Sequence, residues 1–340
     1  MSSTVPQLEP EVLRSRIARF RQVQGEMVTQ VRRVIVGQQE VLEQVMIALF
    51  VGGHCLITGL PGTAKTLLVR TISQTLGLIF KRIQFTPDLM PSDITGTDII
   101  EEDPANGRRT WTFVPGPIFA NILLADEINR TPPKTQSALL EAMQERACTV
   151  RGNNYLLPAP FFVLATQNPI ELEGTYPLPE AQLDRFLFNT VLDYLDAGEE
   201  LKVVDLTTVT SIPQADPVTD AQEIIDFQQL VRMVPIGESV ARHAVELVRV
   251  SRSSDENAPD FVKKYVNYGA SVRAAQFLVL AAKAKALMKG RYHVTYEDIR
   301  SLYIPVLRHR VLLNFHAESD RLKQDDILKR ILEWKAAPSQ

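Results

Sequence analysis

Short apolar runs recur at 54–58, 80–85, 122–125 and 161–166, and a fifth follows at 188–194. A strand of this kind has no polar face to show to water. It must be covered on both sides, which a parallel sheet achieves with helices above and below. The intervening sequence supplies them, because apolar residues at helical spacing mark 13–34, 38–50, 65–76 and 134–146 as helices. Two stretches fall outside this alternation. The turn-rich 103–107, flanked by 99–100 and 110–114, predicts a hairpin over 99–114, and Gly152-Asn153-Asn154 predicts another over 148–157. The expected core is an α/β fold with a five-stranded parallel sheet and two β-hairpin insertions.

Beyond residue 195 the pattern changes. Periodicity weakens over 196–216, where Pro213 and Pro217 punctuate a linker, and no convincing strand follows residue 220. Thr219 with Gln222 and Thr295 with Asp298 fit capping boxes, and Gly290 stops an Ala- and Leu-rich helix that opens after Ser271. The division expected is a core over 1–195, a linker over 196–218 and an all-α lid over 219–335. At about 150 residues per domain, 340 residues accommodate such a pair.

Charge divides the chain the same way. The net charge of −3 combines a balance of −10 over 1–259 with one of +7 over 260–340. A basic end suits nucleic acid or another anion, but here the charges are spread among apolar residues at helical spacing. That favours a solvated helical surface facing an acidic neighbouring domain or subunit. Only Cys55 and Cys148 are present, which excludes a disulfide scaffold and predicts reduced thiols. The first ten residues lack the basic start and apolar core of a secretory signal. The greasiest segment, 45–56, is broken by Gly52, Gly53 and His54, short of the roughly 20 apolar residues a membrane span needs. A cytoplasmic protein is expected.

The chemistry-bearing residues lie where strands end. Gly59, Leu60, Pro61, Gly62, Thr63, Ala64, Lys65 and Thr66 form a loop between the first strand and a helix. Glycines there let backbone N–H groups turn around phosphate oxygens, and the helix N-terminus adds positive potential. Lys65 would reach the β and γ phosphates and the Thr66 hydroxyl would ligate Mg²⁺. Ala64 stands where the standard pattern has glycine, which calls for a negative φ at that position. The strand over 122–125 ends in Asp126 and Glu127, two acids that a metal-bound triphosphate would reconcile: Asp126 in the Mg²⁺ shell, Glu127 polarising water aimed at the γ-phosphate. Asn168, closing the fourth strand, would orient that water or bind the γ-phosphate, or else it forms a turn before Pro169.

Arginines complete the set. Arg185, before the fifth strand, is poised to reach a neighbour's nucleotide, the alternative being a local pair with Asp184 or Glu180. Arg130 is a second candidate. Arg273 opposes the dipole of a helix capped by Ser271, so it needs an anion: a phosphate presented by the other domain, or a local acid.

Together these residues resemble the MoxR family of AAA+ ATPases. The likeness runs over about 13–320 and rests on 52–66, 123–145, 165–169 and 173–186, in the family's order. It implies a P-loop core with an all-α lid, ATP and Mg²⁺ as ligands, and ATP hydrolysis. By resemblance Asp126 and Glu127 match the Walker B acids, Asn168 sensor 1, Arg185 the arginine finger and Arg273 sensor 2. Val36, Gly37 and Gln38 match the segment near adenine, and the nucleotide-contacting stretch continues to Leu67. The two hairpins look like the helix-2 insert and the pre-sensor-1 hairpin. The Ala64 departure is usual in the family. The resemblance also implies a ring, usually a hexamer, chaperone-like maturation of protein complexes or insertion of metal cofactors, and partners with von Willebrand factor A domains.

Three functions compete on these residues. The leading one is an ATP-driven remodelling chaperone with sites between subunits. A nucleic-acid-stimulated motor of the helicase or initiator type is motivated by the basic lid, yet the core is acidic and no aromatic and basic residues interleave. A nucleotide-gated scaffold with little turnover is opposed by Glu127.

Overall fold

The protein is represented by a computed structural model that describes residues 9–102, 109–170, 174–210 and 213–336. The turn expected at 103–107 and most of the N-terminal stretch, 1–8, lie outside the described residues.

In chain order the strands of the first half are β1 (Cys55–Gly59), β2 (Phe80–Gln84), β3 (Gly96–Glu102), β4 (Arg109–Pro115), β5 (Ile122–Asp126), β6 (Ala147–Val150), β7 (Asn153–Leu156), β8 (Phe162–Gln167) and β9 (Phe188–Leu192). Five of them form a parallel sheet in the order β2-β5-β8-β1-β9. β3 with β4 and β6 with β7 make separate antiparallel hairpins, the two insertions expected.

Side-chain alternation explains why the central strands read as uninterrupted apolar runs. Cys55, Ile57, Ile122, Leu124, Phe162 and Leu164 join one core; Leu56, Leu123, Ala125, Val163 and Ala165 join another on the opposite face. The first face is covered by the helices Pro10–Arg32, Gln39–Val51 and Lys65–Thr75, the second mainly by Pro133–Glu145. A shared direction gives the sheet two distinct edges. The C-terminal edge collects Gly59, Gln84, Asp126, Gln167 and Leu192. The N-terminal edge lies about 13 Å away at roughly 3.3 Å per residue.

The second half is helical, with helices at Ala221–Met233, Glu238–Arg249, Asp260–Tyr265, Val272–Met288, Tyr296–Leu307, Phe315–Ser319 and Gln324–Ala336. It shares the larger core with the first half: Phe227 packs edge-on to Phe20 and Phe50, with ring centroids 5.1 and 6.1 Å away. Three details depart from expectation. A two-stranded ladder, β10 (Val266–Tyr268) with β11 (Leu312–Leu313), occurs after residue 220. The helix expected from a Thr219 capping box is capped instead by Asp220, whose carboxylate accepts the Glu223 N–H, while Thr219 donates to the Glu223 carboxylate. Within the expected linker, Ala197–Thr207 is a helix, started by a capping box between Asp196 and Glu199. The Thr295–Asp298 capping box forms as read.

Candidate active site

The loop after β1 folds on itself. The Thr63 hydroxyl donates to Leu60 O at 2.8 Å, and Lys65 Nζ lies across the loop at 2.6 Å from Gly59 O and 3.1 Å from Leu60 O. Gly59 is required by crowding: a Cβ there would meet Leu192 Cβ at 2.7 Å and Leu192 O at 2.9 Å, so only glycine lets β1 run this close to β9. Ala64 corrects the expectation of negative φ. It is left-handed, φ 60° and ψ 24°, at a cost of about 1–2 kcal/mol for an alanine. The position explains it: Ala64 is the N-cap, where φ and ψ are not those of the helix, and its carbonyl already accepts the Leu68 N–H at 2.9 Å.

Asp126 and Glu127 stand on the same edge. β8 separates β5 from β1, so the acids are two interstrand steps, about 10 Å, from the loop. Asp126 is buried; its Oδ1 accepts the Thr166 hydroxyl at 2.6 Å and its Oδ2 accepts Arg82 Nη2 at 2.7 Å. Glu127 has φ 57°, and its N–H donates to the Thr166 hydroxyl oxygen at 2.8 Å. Its carboxylate accepts from Gln84 at 2.7 Å and from Arg130 at 2.9 Å. Arg130, the second arginine candidate, is thus engaged with its own chain's acid. Asn168 is buried at the end of β8, and its Oδ1 accepts the Ile170 N–H at 3.2 Å, the turn contact weighed as the alternative.

A cavity of about 380 Å³ opens beside the loop. It brings Val36 and Gln38 together with Gly62, Thr63, Ala64 and Leu67, and is closed by Leu192, Asp193, Tyr194 and the helix Ala197–Thr207. Gly37 sits between them at φ 66°, where a Cβ would lie 2.7 Å from the Glu199 carboxylate. Gln38 Nε2 ties this segment to Asp193 O at 2.9 Å. The volume and the largely apolar lining suit a small organic ligand seated against the loop 59–66.

The oxygens on this edge suit a hard divalent ion. Thr66 offers a hydroxyl and Asp126 a carboxylate. Among the described residues no group of three or more His, Cys, Asp or Glu could hold an ion by itself, so these donors fit magnesium that takes its remaining ligands from phosphate and water.

The arginines lie elsewhere. Arg185 and Arg273 line one cavity of about 180 Å³ with Gly52, Gly53 and His54, which precede β1. Both therefore occupy the N-terminal edge, away from the loop. Arg185 donates to Leu140 O at 2.6 Å and is paired with neither Asp184 nor Glu180 in the structure. Arg273 is not brought to its own loop, because the helix bearing it packs beside the entry to β9; its Nη1 meets Asp184 Oδ2 at 3.2 Å, the local acid of the alternative. Asp184 also accepts Ser271 Oγ at 3.1 Å and Arg310 Nε at 2.8 Å. Arg310, deeply buried, further donates to the carbonyls of Asp184, Phe186, Leu187 and Val306. Burial pulls its guanidinium down to about 10, which leaves it charged at neutral pH, and Asp184 opposes that pull.

Sequence reasoning passed over Thr166, Arg82, Gln84, Arg310 and the helix Ala197–Thr207. The one signal available was Thr166, a hydroxyl inside an otherwise apolar strand.

Known proteins resemble the chain in both halves. Residues 54–188 match the family model of the ATPase family associated with various cellular activities (AAA), and 260–331 match the AAA lid domain. The chain is 41% identical over 309 residues to chaperone MoxR1 of Mycobacterium tuberculosis, covering 91% of this chain and 81% of that one. It is 29% identical over 332 residues to the protein MoxR of Methylorubrum extorquens, covering 91% and 93%. A crystal structure of a provisionally assigned ATPase from Cytophaga hutchinsonii superposes with a TM-score of 0.89 at 40% identity, over 97% of this chain and 99% of that one.

Proposed function

Because the chain belongs to the MoxR family of AAA+ ATPases, we propose that it binds ATP with Mg²⁺ at the C-terminal sheet edge and hydrolyses it in a ring, usually a hexamer, to remodel client proteins. The observation that carries this reading is the split between the edges. The loop and both acids share one edge, while Arg185 and Arg273 share the other. A subunit built this way holds a nucleotide but keeps these two cations away from it, so a neighbour's cations must complete the site.

In that arrangement the loop amides and Lys65 bind the phosphates, Thr66 and Asp126 hold the ion, and residues 36–38 with Leu67 border the adenine. The ion supplies neutralisation of phosphate charge. Glu127 accepts the proton of the attacking water and Asn168 orients that water. Arg185 from the adjacent subunit stabilises charge on the transferring phosphoryl group. We assign Arg273 to the same trans role in place of a cis sensor, because Asp184 holds it next to Arg185. The hairpins β3-β4 and β6-β7 expose Ile100, Trp111 and Leu156 and are assigned to client contact. Maturation of protein complexes or insertion of metal cofactors, a partner with a von Willebrand factor A domain, a cytoplasmic location and a division at 196–218 complete the proposal.

Steady-state ATP turnover per subunit should rise steeply with protein concentration as rings form. Arg185→Ala should abolish turnover while ATP binding is largely retained. A turnover per subunit that is independent of concentration would remove the shared site.

A further inference from the structure

We propose that Arg82 is a positioning residue that competes with the divalent ion for Asp126, so that arrival of the ion displaces Arg82 and, through Gln84, alters the hold on Glu127. The proposal rests on the ATPase reading above. β2 is the edge strand beside β5, and their register sets Gln84 opposite Asp126. Arg82, two residues earlier, projects to the same face as Gln84. From there its guanidinium donates twice to one oxygen, Asp126 Oδ2, through Nε at 3.1 Å and Nη2 at 2.7 Å. The same Nη2 donates to Gln84 Oε1 at 2.6 Å, and Gln84 Nε2 donates to Glu127 Oε2 at 2.7 Å. One chain of contacts thus joins the acid that would hold the ion to the acid that would activate water.

The other oxygen of Asp126 is committed. Oδ1 accepts the Thr166 hydroxyl at 2.6 Å, so Oδ2 is the atom an incoming ion or its water must approach, and Arg82 covers it. A dication and a guanidinium repel each other at one oxygen. The Asp126 side chain is only 10% exposed, so without an ion it benefits from a counter-charge; the Arg82 side chain is 47% exposed and has solvent to move into. Its departure removes the partner of Gln84 Oε1 and frees that amide to reorient, which changes the contact to Glu127.

The test titrates Mg²⁺ against a fixed concentration of a fluorescent, non-hydrolysable ATP analogue, using the native protein, Arg82→Gln, Arg82→Lys and Arg82→Ala, with circular dichroism to verify folding. A half-exposed ion pair worth about 0.7–1 kcal/mol corresponds to about a three- to fivefold lower Mg²⁺ midpoint for Arg82→Gln. Arg82→Lys, which keeps the charge, should stay near the native midpoint, and Arg82→Ala should repeat the Gln result. A merely structural pair would lower the melting temperature and leave the midpoint unmoved. An unchanged or raised midpoint in Arg82→Gln, or an equal fall in Arg82→Lys, overturns the proposal while leaving the ATPase reading intact. Failure of the native protein to bind the analogue at any Mg²⁺ concentration overturns both.

Discussion

The Thr166 hydroxyl donates to Asp126 Oδ1 at 2.6 Å, and its oxygen accepts the Glu127 N–H at 2.8 Å. One fully buried hydroxyl on β8 therefore fixes both acids that end β5. Thr166→Val keeps the shape and removes both contacts, leaving a buried N–H and a carboxylate oxygen without that partner. The expected cost is about 1–3 kcal/mol in urea unfolding. Turnover should fall more than ATP affinity, because the loop 59–66 is untouched. A variant with native kcat would show that Thr166 does not orient Glu127.

Arg310 holds the junction of sheet and lid. Its contacts to Asp184 and to four backbone carbonyls span the start of β9 and the end of the helix Tyr296–Leu307. Arg310→Met fills much of the volume but leaves Asp184 and the carbonyls short of donors, so urea unfolding should record a loss of about 3 kcal/mol. Arg185→Ala removes one half-buried contact, to Leu140 O, and should cost under about 1 kcal/mol. Comparable losses for the two would contradict the assignment of Arg310 to the fold and Arg185 to the chemistry.

These contrasts show what a linear reading reaches. Residues 59–66, Asp126 and Glu127 are legible because their chemistry lies in contiguous stretches at strand ends. Arg82 and Gln84 act across a strand pair, and nothing in one dimension states that Gln84 stands opposite Asp126. The helix Ala197–Thr207 lacks a periodic signal because it buries none of its residues fully, and its apolar Leu201 and Val204 stay exposed. β10 and β11, three and two residues long, are too short to register as strands. For Arg273 the cation without a dipole partner was legible; which sheet edge it faces is a matter of how the lid packs.

Acid should destabilise the fold through histidine before carboxylates respond. Burial draws His54 from 6.5 down to about 4. The geometry favours the neutral ring, since the Val163 N–H donates to Nδ1 at 3.0 Å and a proton there would face it. His309 is shifted in the same direction by burial and by Arg310. The unfolded chain takes up these protons first, so stability is intact above about pH 6.5 and falls as pH drops toward about 4, by up to roughly 1.4 kcal/mol per unit for each histidine. Urea midpoints between pH 7.5 and 5 should decline, and His54→Gln should decline less steeply. A flat profile over that range would contradict a neutral, buried His54.

Mixed assemblies distinguish a trans cation from a cis one. Lys65→Ala lacks the ammonium assigned to the phosphates but still presents Arg185 and Arg273 on its other edge; Arg185→Ala and Arg273→Ala have the reverse defect. Each variant alone should be inactive or nearly so. In a 1:1 mixture of Lys65→Ala with either arginine variant, an intact loop meets an intact arginine edge at about a quarter of interfaces in a closed ring, and about that share of activity should return. If Arg273 acted on its own subunit's nucleotide, its variant would bind ATP weakly and mixing would restore nothing. Recovery with Arg185→Ala but not with Arg273→Ala would therefore return Arg273 to a cis role, in conflict with its place beside Asp184.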